Sequence, residues 1–297
     1  MFIALLEAMR PRQWAKNVFV LAAIAFGQRL HDKGAIAWSL GAFIIFCFLS
    51  SSVYIVNDIV DAEQDRQHPT KRNRPIASGR LPVAVAVPSA ILLAGFSMVL
   101  SRAIGVDFAV CAGIYLVLNL LYSFALKHVV IVDVLCVAIF FVLRAAAGAE
   151  AINVEISRWL VICTLTLALF IALSKRRHEL VLLEENASAH RVSLTEYTPY
   201  LLDQMISVAT ASTLMAYVLY TVDTRTIDAF GRAFASIDAS PLIYTIPCVV
   251  FGIFRYLYLI HQKGEGGDPD RVILSDRPFF VNLLVWVGIV AAVVYLG

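Results

Sequence analysis

The chain has 297 residues, 60% of them apolar and only 15% charged, with a mean hydropathy of +0.78. Soluble domains carry about 45–50% apolar and about 25% charged residues, so this composition excludes a disordered chain and a nucleic-acid-binding module and argues against a water-soluble enzyme. The 24 Lys and Arg against 22 Asp and Glu leave a formal charge of +2, which gains meaning only once the charges are placed along the chain.

Apolar stretches follow one another near 17–28, 36–56, 84–101, 106–124, 129–149, 158–174, 203–222, 241–260 and 278–296. About 20 apolar residues make one crossing of a bilayer. The runs are continuous rather than alternating, so helices and not barrel strands are predicted. The expected fold class is all-α: a polytopic membrane protein of nine transmembrane helices forming one domain over 1–297. The first crossing is short and can extend back through the amphipathic 3–16 segment. Cys47, Cys111, Cys136, Cys163 and Cys248 all sit inside apolar runs without paired spacing, which suits small buried hydrophobes better than disulfides or a zinc site. No small-residue cleavage site follows the first apolar run, so no removable signal peptide is expected.

The connections alternate in charge. Arg10, Arg12 and Lys16, then Arg66, Lys71, Arg72, Arg74 and Arg80, then Lys127, then Lys175, Arg176, Arg177 and Arg191, and finally Lys263, Arg271 and Arg277 all fall on one side. The other side holds only Arg29, Lys33, Arg102, Arg158, Arg225 and Arg232, with Arg144 and Arg255 left inside spans. The positive-inside rule places the N-terminus and the basic loops in the cytoplasm, and the expected location is the bacterial cytoplasmic (inner) membrane. Two loops on that side, near 57–82 and 175–202, begin with charges directly at the end of an apolar span. Charges at that depth are costly unless they face a cavity, a partner or an ion, so a polar cavity opening to the cytoplasm is the expected site.

The second span ends Y-I-V-N-D-I-V-D-A-E-Q-D-R, giving Asn57, Asp58, Asp61 and Asp65. Offsets of three and four align the aspartates along one stripe of a continuing helix. Stacked like charges beside hydrocarbon repel, and a divalent cation would relieve both problems. With oxygen ligands only, and no Cys or His nearby, magnesium shared with substrate phosphates is favoured, with Mn2+ as the substitute. Asn57 could add a carbonyl oxygen or orient a carboxylate. A solvated helix end balanced by the downstream arginines is the plainer alternative. Relief of the repulsion predicts that neutral Asp variants stay folded and gain stability when metal is absent.

Next comes H-P-T-K-R-N-R-P-I-A-S-G-R-L-P, where prolines and Gly79 force a non-helical hairpin and Lys71, Arg72 and Arg74 return positive charge toward the acidic stripe. Acid and base this close suggest carboxylates holding an ion and cations holding the phosphate oxygens that the ion bridges. Anchoring to anionic lipid is the other use of such a loop.

N-D-x-x-D-x-x-x-D at the end of a span, followed by K-R-x-R-P-I-A-S-G, resembles the UbiA superfamily of intramembrane prenyltransferases over essentially the full chain. The resemblance implies a UbiA-like helical bundle that binds a diphosphate through magnesium held by two aspartate-rich motifs on opposite loops. The second of these, an Asp-x-x-x-Asp pattern after the sixth span, is absent; A-L-S-K-R-R-H-E-L stands there, with Lys175, Arg176, Arg177 and Glu179. A basic cluster cannot hold a second metal, but it can hold another phosphate. Glu179 can also pair within its own helix.

M-R-P-R-Q-W-A-K-N, with Gln13, Trp14, Lys16 and Asn17, and L-Y-S-F-A-L-K-H-V-V-I-V-D, with Tyr122, Ser123, Lys127, His128 and Asp133, join S-K-R-R-x-E-L in resembling the decaprenyl-phosphate phosphoribosyltransferase branch. That branch implies transfer of 5-phosphoribosyl from phosphoribosyl diphosphate to a polyprenyl phosphate, releasing diphosphate, for arabinan precursors of the cell envelope. The donor and its metal are then expected on Asn57, Asp58, Asp61 and Asp65 with Lys71, Arg72 and Arg74. Further phosphate contacts are expected from Tyr122, Ser123, Lys127, His128, Lys175, Arg176, Arg177 and Arg144. The lipid acceptor is expected near Gln13, Trp14, Lys16 and Asn17. Trp14 could instead be an interfacial anchor, and Arg144 a paired structural charge. Asp276 and Arg277 are expected to form a local pair. Oligomeric state is left open, a homo-oligomer being one option. Two rivals are a prenyl diphosphate:aromatic acceptor transferase, which should have kept the second acidic motif, and a transporter, which should gather polar residues near the midplane rather than at one face.

Overall fold

The computed structural model describes residues 1–184, 196–233, 238–263, 272 and 275–296, and every regular element among them is helical. The chain divides into two compact units, one over Met1–Ser157 and the other from Arg158 onward.

The first unit opens with α1 (Phe2–Ala8), a 3-10 segment (Pro11–Leu21) and α2 (Ala22–Phe26). Then come α3 (Lys33–Val60), α4 (Ala62–Gln67), α5 (Val83–Ile104), α6 (Val106–Phe124) and α7 (Val132–Ala151). Asp32 caps α3 by accepting from the backbone N–H groups of Gly34 and Ala35 at 2.8 and 3.1 Å, which fixes where the helix begins. At 28 residues, α3 is about 42 Å long against a hydrocarbon core about 30 Å thick. Its last turn, with Asn57 and Asp58, therefore reaches past the hydrocarbon when its first turn lies at the opposite surface. Helix α3 is central to this unit, packing on α5, α6, α7 and the 3-10 segment. Phe46, Phe108 and Tyr115 meet there, with Phe46 ring centroids 5.8 Å from Phe108 and 5.3 Å from Tyr115.

The second unit holds α8 (Arg158–Glu184), α9 (Pro199–Val222), α10 (Thr224–Phe230), a short 3-10 turn (Pro241–Thr245), α11 (Ile246–Gln262) and α12 (Arg277–Leu296). Thr198 caps α9 at the Leu201 N–H (3.1 Å), with Pro199 in the first helical position, where its missing N–H costs nothing. Asp276 caps α12 at the Phe279 N–H (2.8 Å).

Eight helices among the described residues are long and apolar enough to cross a membrane. The run near 17–28 is built differently from the rest: it is the 3-10 segment and α2 rather than one α-helix. A 3-10 helix rises about 2.0 Å per residue, so these 16 residues reach about 30 Å. An 11-residue 3-10 run is unusual, and it lies directly against Gly148 of α7. A Cβ at Gly148 would lie 1.9 Å from the Val20 carbonyl oxygen, so only glycine lets the segment lie this close.

A second departure concerns the region near 175–202. Helix α8 continues to Glu184, so Lys175, Arg176 and Arg177 stand on its last turns and not in a loop.

Candidate active site: buried carboxylates matched by buried cations

Three carboxylates converge where α3 gives way to α4. Asp58 lies in the last turn of α3, Asp61 at the junction and Asp65 in α4, and they are 1%, 8% and 4% exposed. Such groups are costly to bury unless compensated, and the same unit supplies three cations. Arg74 donates to Asp65 at 2.6 Å and to Asp58 Oδ1 at 3.1 Å. Arg10 also donates to Asp58 Oδ1, and Lys127, itself 1% exposed, donates to Asp61. Asn57 Nδ2 donates to the second oxygen of Asp61 at 3.0 Å. Asp58 Oδ2 is buried and has no hydrogen-bond partner.

The hairpin after α4 is a rigid support for Arg74. Ile76 and Leu81 are buried in a core with Ala4, Ala8 and Ile55, and Gly79 adopts φ +76°, which favours glycine. Arg80 grips Glu7 of α1 with two hydrogen bonds of 2.7 and 2.9 Å and also donates to the Asn73 carbonyl (2.7 Å). That hydrogen bond from Arg80 chiefly holds the Glu7 carboxyl below its ordinary pKa, against the opposing effect of burial. Of the three basic residues expected to face the acidic stripe, Arg74 does so. Arg72 is exposed, and Lys71 is half-buried beside His68, whose Nδ1 accepts from the Lys71 backbone N–H at 3.4 Å.

Arg10 is the residue the sequence did not single out. It has φ 54° and ψ 61°, a left-handed conformation uncommon for a non-glycine residue. That turn, just before Pro11, swings the side chain over the Tyr54 ring (5.2 Å) and onto Asp58. The signal available was an arginine wedged before a proline at the entry to a helical segment.

Lys127, expected at a phosphate, is instead committed to Asp61 from the 3-10 turn Leu126–His128. Ser123 and Asp133 are buried near it in sequence, and His128 is half-buried. Tyr122 packs edge-on against Phe140 at 5.6 Å.

The N-terminal candidates form a second polar group. Trp14 Nε1 donates to Ser51 Oγ (3.0 Å), and Ser51 donates to the Met9 carbonyl (3.0 Å). Asn17, fully buried, donates to Ser50 Oγ (3.2 Å) and accepts from Arg144 Nε (2.8 Å). Arg144 also donates to the Tyr115 hydroxyl and the Phe140 carbonyl, at 2.8 and 2.9 Å, and lies over the Tyr115 and Phe141 rings. Its hydrogen-bond partners are thus neutral and its position is in the core of the bundle. The structure places it with Asn17, and not on the acidic cluster. Trp14 and Asn17 turn inward onto α3, while Gln13 and Lys16 are half-buried.

In the second unit, Arg176 is buried and pairs with Glu179 at 2.6 Å, as helical spacing predicts. Arg177 pairs with Asp203, which also meets His261 Nε2 at 3.2 Å. Lys175 is half-buried. Asp276 does not pair locally with Arg277 as expected. It is held by Arg255 of α11 at 2.8 and 3.1 Å, because capping α12 turns its carboxylate back toward α11. Arg191 and Arg271 lie outside the described residues.

No three or more His, Cys, Asp or Glu among the described residues are placed to hold a metal by themselves. Magnesium seldom asks for such a cage: it takes one or two carboxylates and fills its shell with water and substrate phosphates. An all-oxygen donor set with a buried, unpartnered Asp58 Oδ2 fits that pattern.

The model of the UbiA prenyltransferase family matches residues 17–295. A decaprenyl-phosphate phosphoribosyltransferase of Corynebacterium glutamicum is 39% identical, covering 98% of this chain and 87% of that protein. The protein of the same name from Mycolicibacterium smegmatis is 35% identical over 98% and 92% of the two chains. Among solved structures, a UbiA homolog from Archaeoglobus fulgidus bound to GPP and Mg2+ superposes with a TM-score of 0.70 at 18% identity, covering 98% of this chain and 99% of that one. A digeranylgeranylglyceryl phosphate synthase gives 0.69 at 17% identity, with 99% and 98% covered; at these identities both show a shared fold. With a family match across nearly its whole length and eight membrane-length helices, the chain belongs to the UbiA prenyltransferase family and is a multi-pass membrane transferase.

Proposed function

We propose that the protein transfers 5-phosphoribosyl from phosphoribosyl diphosphate to a polyprenyl phosphate, releasing diphosphate, with the acidic cluster as the donor site. The observation that carries this reading is the buried set of three aspartates matched by Arg10, Arg74 and Lys127. It combines groups for a metal with groups for phosphate oxygens and contains no catalytic Ser, Cys or His. The named activity of relatives at 33–39% identity supports the choice of substrates.

Asp58 and Asp61, with Asp65 and Asn57, would hold Mg2+ (or Mn2+), which would supply positive charge to the diphosphate. Arg74, with Arg10 and Lys127 close by, stabilises the negative charge that grows on the leaving diphosphate as the ribose C1–O bond breaks. The acceptor phosphate oxygen then forms its bond to C1 from the opposite face, and the departing diphosphate keeps the electron pair. That nucleophile is already anionic at neutral pH, so no proton has to be removed and no general base is needed. The chain's own contribution is positioning and charge stabilisation.

Lys71, Arg72, Tyr122, Ser123 and His128 are proposed as further donor-side groups, Lys175, Arg176 and Arg177 as phosphate-binding groups of the second unit, and Gln13, Trp14, Lys16 and Asn17 as the acceptor side. The basic loops would face the cytoplasm, with Pro11–Phe26 as a ninth crossing and a polar cavity open on that side.

Incubating the purified protein with labelled phosphoribosyl diphosphate, decaprenyl phosphate and Mg2+ tests the reading. Label should become extractable with the lipid. Turnover of a prenyl diphosphate with an aromatic acceptor, and none of the labelled donor, would replace this reading with the orthodox family reaction.

A further inference from the structure

We infer that Arg10, Arg74 and Lys127 are exchangeable counter-ions: they hold the aspartates closed against a lone divalent cation and move to the diphosphate when metal and diphosphate enter together. The inference rests on the donor-site reading and adds an order of preference to it.

The cations and a metal compete for the same atoms. Asp58 Oδ1 accepts from both Arg10 and Arg74, Asp61 Oδ1 from Lys127, and Asp65 Oδ2 from Arg74. Asp61 Oδ2 is taken by Asn57, and Asp58 Oδ2 alone among these oxygens is unpartnered. A metal coordinating Asp58 and Asp61 therefore either loosens one of these ion pairs at an Oδ1 atom or displaces Asn57 from Asp61 Oδ2 and sits beside the same cations.

Charge decides whether that is affordable. Three carboxylates and three cations make the cluster neutral, and the aspartates and Lys127 are all less than 9% exposed. A divalent cation entering alone leaves two positive charges uncompensated in a poorly solvated site, and the displaced guanidinium and ammonium groups lose these carboxylates as acceptors. A metal arriving with diphosphate brings oxygen acceptors for those same groups. The move asks little of the backbone, since Arg10 and Arg74 have long side chains with 26% of their surface exposed and can pivot by rotamer change alone.

This exchange has a signature that neither a purely structural nor a purely phosphate-binding cation would give. Permanent structural pairs, once cut, should weaken both ligands. Simple phosphate-binding groups, once removed, should weaken diphosphate and leave metal alone unaffected. Exchangeable counter-ions should shift the two ligands in opposite directions.

The test uses the full-length protein in detergent, with Mn2+ counted by the paramagnetic resonance of the free ion, alone and with inorganic pyrophosphate. Arg74→Gln should tighten Mn2+ binding alone by at least about fivefold, the low end of ordinary coupling between linked sites. It should weaken pyrophosphate, measured at saturating Mn2+, by a comparable factor. Arg10→Gln, which cuts one pair and leaves Arg74 on Asp58, should show the same pattern at smaller amplitude and serves if Arg74→Gln fails to fold. Unchanged or weaker Mn2+ binding in the folded variants overturns the exchange while leaving the donor site in place. A wild-type protein that binds no Mn2+ even with pyrophosphate overturns the donor-site reading and the exchange with it.

Discussion

Asp58 and Asp61 sit one helical turn apart and meet different surroundings, so their variants should part company. Asp58 is shared between two half-buried arginines, one of which keeps Asp65 as a partner. Asp58→Asn should therefore leave the fold intact and lower kcat/KM by roughly 10²–10³-fold, the range for losing one group that stabilises developing charge. Near-wild-type turnover in a Mg2+ titration would remove Asp58 from the site. Asp61 is the partner of a fully buried ammonium. Asp61→Asn takes a carboxylate away from Lys127 and should cost stability, up to about 3–5 kcal/mol, seen as a lowered thermal midpoint in detergent. This reverses the simpler expectation that neutralising an aspartate relieves repulsion. The acidic triad was legible because its spacing is local. Of its cations only Arg74 was: Arg10 lies 48 residues from its partner and Lys127 lies 66 from its own, and periodicity reports only neighbours along one element.

The element least legible in the sequence is the Pro11–Leu21 segment. Its apolar run promised a short α-helix, and its close approach to α7 depends on a glycine on that other helix. Gly148→Ala puts a methyl group 1.9 Å from the Val20 carbonyl oxygen, so the segment must shift. The expected cost is about 1–3 kcal/mol of stability, together with lost activity as Arg10 leaves Asp58; a melting curve and a rate assay on one preparation check both. At the other end of the chain, Arg255 chiefly, and the Phe279 N–H, hold the Asp276 carboxyl below its ordinary value of 3.8. A depressed carboxylate contributes stability that is present above that value and fades as pH falls through the lowered one. Asp276→Asn should therefore flatten the acid limb of a stability–pH curve, and an unaltered limb would mean the pair contributes nothing. Long helices other than α8, which runs ten residues past its expected end, were read to within a few residues, because hydrocarbon thickness sets their length and caps such as Asp32 and Thr198 set their starts.

Across the molecule, apolar side chains point outward as well as inward. Leu92 and Val99 of α5 are each 71% exposed, and only 6% of the α12 span is buried, a distribution that suits hydrocarbon as the surrounding solvent. The basic connections give the expected orientation. A cysteine at exposed Arg72 should react with a membrane-impermeant maleimide only from the cytoplasmic side, and one at exposed Arg29 only from the other. The five native cysteines are buried or half-buried and supply little background. Labelling from the same side at both positions would contradict the orientation. The helical class and the membrane setting were legible in composition alone, whereas the pairing of each carboxylate with its own cation required the chain to be folded. The most direct test of the account is a structure of the protein bound to phosphoribosyl diphosphate and Mg2+. It should place the ion between the diphosphate and Asp58 and Asp61, with Arg74 moved onto phosphate oxygens; a donor bound elsewhere, with the aspartates still held by Arg10, Arg74 and Lys127, would contradict it.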